Sequence, residues 1–444
     1  MQLDISVKVN GQLVQTHVKE VFGTLEQMEE TIHALSKQVA GQTLQASINA
    51  VASPRPLFSK DGGELRHRGY QSRTVIGLNG PITIRRARFQ CGKTGAISIP
   101  LDDLLELPAG EVSVSLARRA LRLGCCMSFE ELQKELYEQH AVRLTDSTLD
   151  LLMQRVGGVA VADRKKNLDA LEAATRGVAR VGMVQNQGII QTPQRLYISC
   201  DGITYRTRYR EVDSQNPKEK RVVYQEMKVG CVFWQDSMGN WHKQVVVGRD
   251  DPQRFGLDLW QMAVRCGMLQ AQEVIFISDG GGWCNSVAEL YFKDATRILD
   301  WYHLSEHVWS AGRQLYPQKE EAAKGWVDRC MDKLHDFSGI GLLLHLERCL
   351  KSRGQGAEEA LQPLLDYLRP RLEITDYVDY RSAGYVIGSG MMESSCKQVV
   401  GRRLKGPGMQ WSEEGALAMT ALVAQRLNET WDSFWESRPL RRAA

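Results

Sequence analysis

The stretch between residues 195 and 302 constrains the fold of this chain more than any other part of the sequence. Its segments with the apolar or alternating pattern of β-strands are Leu196–Cys200, Ile203–Tyr209, Val222–Trp234, Val245–Val247, Glu273–Ser278 and Thr296–Leu299. The first segment runs into Asp201-Gly202, where we expect that strand to end. A turn sequence at 236–240 separates two of the segments and predicts that they pair as antiparallel neighbours.

Two helical segments interrupt this series of strands. One covers Arg254–Leu269 and the other begins near Trp283. Three sequential strands followed by helix, strand, helix and strand is the element order of a ribonuclease-H-like α/β domain. Residues 303–380 have helical periodicity and no strand pattern, so we predict that an all-helical segment follows the sheet.

The residues before this core predict an α+β region. Residues 1–15 alternate as a strand, and the capping-box spacing that starts at Thr24 opens a helix to about Ala50. We interpret residues 1–56 as a strand and a helix, and the helix as a candidate dimer interface.

Residues 57–112 contain the pattern of a basic β-hairpin. Thr74–Gly77 and Ile82–Ile84 flank a turn sequence at 78–81. Seven basic residues and no Asp or Glu occur between positions 66 and 93, namely Arg66, Arg68, Arg73, Arg85, Arg86, Arg88 and Lys93. A basic run of this kind is usually a solvated surface. Without counter-charges and with aromatic residues interleaved, contact with nucleic-acid phosphates is an equally good interpretation.

Residues 113–160 have the pattern of a helix-turn-helix. Ser128 opens one short helix with a capping box, and a second helix starts after a polar break. In the DNA-binding form of this motif the second helix lies in the major groove, where Ser147, Thr148 and Arg155 are the predicted contacts. Most helical hairpins do not bind DNA, so this pattern alone is weak evidence.

Two acidic residues follow apolar strands of the predicted sheet. Asp201 and Asp279 each precede a glycine, which is also ordinary turn sequence. Two such pairs at the carboxyl ends of strands in one sheet favour a shared site instead. Paired carboxylates bind hard cations such as Mg²⁺ or Mn²⁺, and two such ions support in-line phosphoryl displacement.

A metal site of this kind normally needs a third acid, for which we predict Glu393. The glycine-rich segment before it places Glu393 in the first turn of a helix. Lys397 shares its helical face one turn later. It forms either a helix-stabilising pair with Glu393 or a contact with a DNA phosphate.

Five segments together resemble a known family. They are Cys200–Gly202, Ser278–Trp283, Ile298–His303, Gly388–Ser394 and Arg402–Trp411. In this order they resemble the DDE transposases of ISKra-type bacterial insertion sequences, over most of the chain after about residue 65. The linear order and the long final segment are specific, whereas any single Asp-Gly pair is not.

The resemblance implies a ribonuclease-H-fold catalytic domain in which Asp201, Asp279 and Glu393 are the catalytic and metal-binding acids. They would hold two Mg²⁺ or Mn²⁺ ions, and the helical segment becomes an insertion that splits the core into 195–302 and 381–444. The implied activity is cleavage at the insertion-sequence ends and strand transfer. The implied partners are terminal inverted-repeat DNA, target DNA and further copies of the chain, in a homodimer or larger assembly.

The matched segments also suggest residues that contact DNA. Asp300-Trp301-Tyr302-His303 matches an Asp-x-x-His signature of related insertion-bearing transposases. An aromatic residue there either stacks on an unpaired base or packs against the sheet, and both roles suit Trp301. The predicted contacts in these segments are Trp283, Trp301, His303, Lys397, Arg402, Arg403 and Lys405.

Cysteine usage departs from that family. Relatives often carry an N-terminal zinc ribbon with paired cysteines, whereas the corresponding part of this chain has Cys91 alone. We therefore expect no structural zinc and a hairpin that binds DNA without metal. Apart from the adjacent Cys125 and Cys126, the ten cysteines are widely spaced, and they form no Cys-x-x-Cys pair, which is typical of reduced, mostly buried thiols.

Two alternative functions remain open. Residues 303–307, with His303, Glu306 and His307, match the H-x-x-E-H pattern of zinc peptidases, in which two histidines hold Zn²⁺ and the glutamate is the base. That site needs a third ligand, which the sequence does not identify. The other alternative is a non-catalytic DNA-binding repressor that uses the helix-turn-helix alone.

The length of 444 residues and the composition exclude a fibrous protein, a mini-protein and a disordered tail. Hydrophobic residues at 43% and charged residues at 25% are ordinary for a globular chain, and the net charge of +3 neither requires nor excludes nucleic acid. The sequence has no apolar run of about 18 residues and no signal-peptide pattern. We therefore expect a cytoplasmic protein with no membrane partner.

Overall fold

The computed structural model describes residues 2–59, 61–175, 177–190, 192–212, 220–437 and 439–442. The chain divides into two compact units, one of residues 1–160 with 430–444 and one of residues 161–429. The C-terminal residues from Thr430 group with the first unit, whereas the sequence analysis assigns them to the catalytic core.

The first unit begins with a β-hairpin. Its strands are β1 (Gln2–Val9) and β2 (Gln12–Glu20), joined by Asn10 and Gly11 with φ of 52° and 79°. Positive φ at both positions is the two-residue turn for which Asn-Gly is favoured. The prediction of one strand over 1–15 is therefore wrong. Helix α1 (Leu25–Ala50) follows, and its predicted Thr24 capping box is confirmed.

The predicted second hairpin is confirmed and is longer than its sequence signal. Strands β3 (Leu65–Gly77) and β4 (Gly80–Cys91) are antiparallel, and the short strand β5 (Ile97–Ser98) pairs with β4. Val75, Ile82 and Ile84 are buried on one face.

Four helices follow in the first part of the chain: α2 (Pro100–Leu104), α3 (Val114–Gly124), α4 (Phe129–His140) and α5 (Asp146–Ala173). The Ser128 capping box at the start of α4 is confirmed. Residues 141–145 connect α4 to α5, and Ala141 has a φ of 52°. Helix α5 continues well past residue 160, the boundary predicted for this region, because the two glycines at 157–158 do not interrupt it.

The second unit is built on a five-stranded mixed sheet in the spatial order β10-β9-β6-β7-β8. Its strands are β6 (Arg195–Val212), β7 (Lys220–Gln235), β8 (Trp241–Gly248), β9 (Glu273–Ser278) and β10 (Thr296–Leu299). Strands β6, β7 and β8 are antiparallel, whereas β9 is parallel to β6 and β10 is parallel to β9. The segments predicted as strands thus all lie in this sheet.

Strand β6 differs from its prediction at the site-forming position. Asp201 pairs with Val229 and Gly202 pairs with Lys228, so β6 continues through Asp201-Gly202. The prediction that the strand ends at Cys200 is wrong.

Helices cover both faces of this sheet. Helix α6 is Val178–Gln185, α7 is Pro252–Arg265 and α8 is Gly282–Tyr291. Leu196 and Ile198 of β6 share a buried core with Phe255 of α7 and Val287 of α8. On the opposite face the Ser395 hydroxyl lies 3.4 Å from the Cys231 Sγ.

The prediction of an all-helical segment at 303–380 is confirmed, because every residue of this segment is described and none is in a strand. Its helices are α9 (Trp301–Leu315), α10 (Glu320–Arg353, with non-helical dihedrals at 337–338), α11 (Gln355–Leu368), a 3₁₀ turn (Arg369–Ile374) and α12 (Tyr377–Ser382). The helices after it are α13 (Gly390–Cys396), α14 (Arg402–Leu404), α15 (Glu413–Leu427), α16 (Trp431–Glu436) and α17 (Pro439–Arg442). A π-helical turn (Lys397–Gly401) joins α13 to α14, and the break at Gly406-Pro407 is confirmed.

Two composition-based predictions can be compared with the structure. All ten cysteines are described and free, and eight of them are buried, which confirms mostly buried thiols. Within the described residues, no helix combines the length and apolarity that a membrane span requires.

Candidate active site

Asp201 lies in β6, and Asp279 directly follows β9, the neighbouring parallel strand. The last paired residues of β6 and β9 are Ser199 and Ile277, and each acid follows two residues later. This register places both carboxyl groups at the same level, where adjacent strands are about 4.8 Å apart. Asp201 accepts a hydrogen bond from the Gly202 N–H at 2.6 Å, and Asp279 accepts one from the Gly281 N–H at 2.8 Å.

The electrostatics of Asp201 show that the two acids interact. Burial raises the pKa of Asp201, and the negative charges of Asp279 and Glu226 raise it further. The Gly202 N–H and His303 act in the opposite direction. Among the described residues, no lysine or arginine forms an ion pair with Asp201 or Asp279. The pair fits a hard divalent cation, because its ligands are carboxylate oxygens and no lysine or arginine in the described part of the chain forms an ion pair with them.

Glu393 lies in the first turn of α13, as predicted, but not with the other two acids. Its side chain is 65% exposed and pairs with Lys397 at 2.6 Å. Cys396 lies one turn away, and its pKa is raised by burial and then by charges that include Asp201 and Glu393. Within the described residues, no group of three His, Cys, Asp or Glu side chains could hold a metal ion. The structure therefore brings Asp201 and Asp279 together and leaves Glu393 outside their cluster.

Glu226 is an acidic residue of this site that the sequence analysis missed. A Cβ built on Gly202 would lie 2.0 Å from the Glu226 Oε1, so this carboxylate covers the glycine next to Asp201. Lys228 lies 3.6 Å from Glu226 and 5.6 Å from the ring centroid of Trp283. The alternation of polar residues along β7 was the available signal. Trp283 itself is half-buried and packs edge-on against Phe255, so its predicted base contact competes with a core role.

The Asp-x-x-His segment, residues 300–303, is hydrogen-bonded through Asp300 to the start of α13, the helix that contains Glu393. Asp300 is buried and accepts hydrogen bonds from the Tyr302 N–H at 3.0 Å, the Ser389 N–H at 3.2 Å and the Ser389 hydroxyl. Trp301 is half-buried and packs edge-on against Tyr377 at 4.9 Å between ring centroids, which favours its core role. The exposed aromatic residue of this segment is Tyr302, at 65%.

The zinc-peptidase motif lies on α9 beside the acids. The His303 and His307 rings are 5.0 Å apart edge-on, and His307 stacks on Tyr367 at 3.8 Å. Burial lowers the pKa of His307, and the charges of His303 and Arg371 lower it further. A third zinc ligand is absent from the described residues.

Three of the arginines predicted to contact DNA make contacts within the chain. Arg86 is 5% exposed and binds Asp102 at 2.5 Å. Arg73 is half-buried and donates hydrogen bonds to the backbone carbonyls of Pro108 and Gly110. Arg403 is 1% exposed and lies over the Trp411 ring. Their guanidinium groups already serve contacts within the chain, which favours a structural role for these three residues.

The other predicted DNA contacts are accessible to different degrees. Those with exposed side chains are Arg66, Arg68, Arg85, Lys93, Ser147, Arg155, Lys397, Arg402 and Lys405, and those that are half-buried are Arg88, Thr148 and His303. The exposed cations lie on β3 and β4, on α5 and around the α13–α14 junction.

Comparison with known proteins gives little further information. No family model and no curated protein matches the chain. Among solved structures the chain is similar to a Drosophila P element transposase in a strand transfer complex, with a TM-score of 0.27 and 11% identity over 75% of this chain and 81% of that one. A likeness this weak carries no argument about function.

The repulsion between Asp201 and Asp279 leads to a prediction about stability. The Asp201→Asn protein should unfold at a higher temperature than the unaltered protein in EDTA at pH 7, because the amide keeps the Gly202 hydrogen bond and removes a buried negative charge. A relief of ~1 kcal/mol corresponds to about 2–4 °C. Since the folded-state pKa of Asp201 is raised, the difference should be smallest at low pH, where the Asp201 side chain is protonated, and should grow as the pH rises.

Calorimetry in EDTA measures this effect, with Asp294→Asn as the control. Asp294 is an exposed acid in the turn before β10. A lower unfolding temperature for Asp201→Asn at pH 7 would show that the Asp201 charge is already compensated within the protein.

Proposed function

We propose that this chain is a DDE-type DNA transposase that cleaves DNA at insertion-sequence ends and transfers the strand to target DNA. The observation that carries this proposal is the pair of acids formed by Asp201 in β6 and Asp279 directly after the neighbouring strand β9. The proposal includes a ribonuclease-H-like core. Its support is the sheet itself, in which three sequential antiparallel strands are followed by two strands parallel to the first.

In this proposal Asp201 and Asp279 hold Mg²⁺ or Mn²⁺, with Glu393 as the third acid. When bound, two such ions activate water and stabilise the leaving oxygen of a phosphodiester. The protein contributes the placement of the carboxylates, which the β6–β9 register and their backbone hydrogen bonds maintain. As a metal ligand, Glu393 would give up its bond to Lys397, and Lys397 would then be available for a DNA phosphate.

In this proposal the DNA contacts of the first unit come from the exposed cations of the β3–β4 hairpin and the start of α5. Those of the second unit come from the α13–α14 junction. The hairpin and the α4–α5 pair recognise the terminal inverted repeats. Lys397, Arg402 and Lys405 contact the strand that enters the acidic site. The partners are inverted-repeat DNA, target DNA and a second copy of the chain, in the bacterial cytoplasm.

The proposal is tested with DNA that carries the repeats flanking the gene. We expect Mg²⁺-dependent strand cleavage at the repeat ends, measured on end-labelled duplexes. Metal-dependent casein cleavage that His307→Ala abolishes would support the peptidase instead. Binding to the repeats without cleavage at any Mg²⁺ or Mn²⁺ concentration would support the repressor.

The hairpin provides a separate prediction about DNA binding. Replacing Arg68, Arg85 and Lys93 together with glutamine should weaken binding to repeat and unrelated DNA alike. The slope of log affinity against log salt should fall by about 2–3, since each phosphate contact contributes roughly 0.9. Fluorescence anisotropy over a salt series measures the slope, and Lys19→Gln, an exposed lysine of β2, is the control. An unchanged slope would show that the hairpin does not touch phosphates.

A further inference from the structure

Two side chains of the helical insertion hold the backbone that carries Asp279. The Tyr367 hydroxyl donates a hydrogen bond to the Asp279 carbonyl at 2.6 Å. The Arg371 guanidinium donates two hydrogen bonds to the next carbonyl, that of Gly280, from Nε at 3.2 Å and from Nη2 at 2.8 Å. Both carbonyls that directly follow β9 are therefore bound by side chains of the helical insertion, which are far from β9 in the sequence.

These two side chains are themselves held in place. The Arg371 guanidinium lies 4.3 Å from the centroid of the Tyr367 ring and donates to the Tyr367 carbonyl at 2.7 Å. The His307 ring also stacks on Tyr367, at 3.8 Å. Imidazole, phenol and guanidinium thus form one group of mutually supporting contacts, and burial raises the pKa of Tyr367, so its hydroxyl remains a donor at neutral pH.

The Gly280 backbone lies directly against this group. Gly280 has a φ of +73°, and a Cβ built there would lie 2.4 Å from the Arg371 Nε. With the carbonyls of residues 279 and 280 bound, Asp279 retains little freedom apart from its side-chain torsions. Its carboxylate then accepts the Gly281 N–H and faces the charge of Asp201.

We propose that Tyr367 and Arg371 are positioning residues for Asp279, so that the insertion sets the divalent-metal affinity of the Asp201–Asp279 pair. This inference rests on the proposed function for the metal, and on the observed hydrogen bonds for the positioning. Groups that orient metal ligands in this way typically change metal affinity by about 10- to 100-fold when they are removed.

The chain offers a matched control for Tyr367. Tyr380, on α12, donates a hydroxyl hydrogen bond to the Arg297 carbonyl at 3.1 Å, which is the same type of bond to the same sheet. Arg297 lies in β10, a strand that contains neither Asp201 nor Asp279. Tyr380→Phe therefore removes an equivalent bond between the insertion and the sheet without touching the Asp279 segment. Arg369, which pairs with Glu347 on the surface at 3.2 Å, is the control for Arg371.

The experiment measures Mn²⁺ affinity by calorimetry and amide hydrogen exchange of residues 280–283 in the metal-free full-length protein. We expect Tyr367→Phe and Arg371→Gln to weaken Mn²⁺ binding by about 10-fold or more. Exchange in 280–283 should become roughly 5- to 10-fold faster, as loss of one such hydrogen bond implies. Arg371→Lys, which retains the charge, should fall between Arg371→Gln and the unaltered protein. Tyr380→Phe and Arg369→Gln should change neither quantity.

The two readouts separate this inference from the proposed function. If the unaltered protein and the Tyr367→Phe and Arg371→Gln variants bind Mn²⁺ with the same affinity, and amide exchange in residues 280–283 is unchanged, the positioning role is overturned. If Tyr380→Phe weakens Mn²⁺ binding as much as Tyr367→Phe does, the positioning role is also overturned, because the effect would then be general destabilisation. If the unaltered protein binds no Mn²⁺ but exchange rises in the two variants alone, the bonds hold the Asp279 segment and the proposed metal function fails.

Discussion

Asp201→Asn and Asp279→Asn should each abolish metal-dependent DNA cleavage, with a loss of at least about 10³-fold in rate. The amide keeps the size of the side chain and its acceptor for the Gly202 or Gly281 N–H, but it removes a negative ligand from a site that depends on carboxylate oxygens. DNA binding should persist, because the exposed cations of the hairpin are unaffected. Cleavage of end-labelled repeat DNA and anisotropy measure the two properties separately.

Two controls make this result specific. Asp294→Asn removes an exposed acid and should leave cleavage unchanged, and Glu306→Gln, which removes the exposed peptidase base, should retain cleavage because the proposed DNA chemistry does not use that carboxylate. Cleavage that survives in Asp201→Asn, or in Asp279→Asn, would contradict the proposed function.

The same assay identifies the third acid. We expect Glu393→Gln to lose cleavage to a similar extent, although Glu393 is paired with Lys397 and lies apart from the other acids in the structure. Glu226 is the competing candidate, because its charge already acts on Asp201. Cleavage that is lost in Glu226→Gln and retained in Glu393→Gln would assign the third position to Glu226.

Short-range patterns predicted the elements that depend on local sequence. The apolar run of β9, the strand β10 and the start of α8 were all placed correctly, because period and turn residues are local properties. The Asn10-Gly11 hairpin turn was equally local and was missed, although its sequence signal was present.

Other features depend on partners that are distant in sequence. Asp201-Gly202 has the sequence of a turn, but pairing with Val229 and Lys228 of β7 keeps it in a strand. Arg86 belongs to the acid-free stretch 66–93, but it forms an ion pair with Asp102, which lies beyond the end of that stretch. The contacts of Tyr367 and Arg371 with the Asp279 segment have no counterpart in any local pattern, because they require the insertion to fold back on the sheet.

Asp300→Ala should lower both the stability of the protein and its cleavage activity. Asp300 accepts hydrogen bonds from the Tyr302 N–H, the Ser389 N–H and the Ser389 hydroxyl, and all three donors lose their acceptor in the variant. Losing a helix cap and leaving these three donors without their acceptor costs about 2–5 kcal/mol in total. We expect the unfolding midpoint to fall by about 5–10 °C, which calorimetry measures.

The loss of activity should exceed what instability alone produces, because Asp300 also determines where α13 begins. Ser389 precedes α13, and its carbonyl accepts the Glu393 N–H at 2.9 Å. The Asp300 N–H donates to the Ser278 carbonyl at 2.8 Å, so one path of hydrogen bonds runs from β9 through Asp300 to the helix of Glu393. Asp251→Ala is the matched control, since Asp251 caps α7 through the N–H groups of Gln253 and Arg254 and has no bond to α13. At a temperature where both variants are folded, Asp300→Ala should cleave at least about 10²-fold more slowly than Asp251→Ala. Equal cleavage by the two variants would show that Asp300 stabilises the fold without placing Glu393.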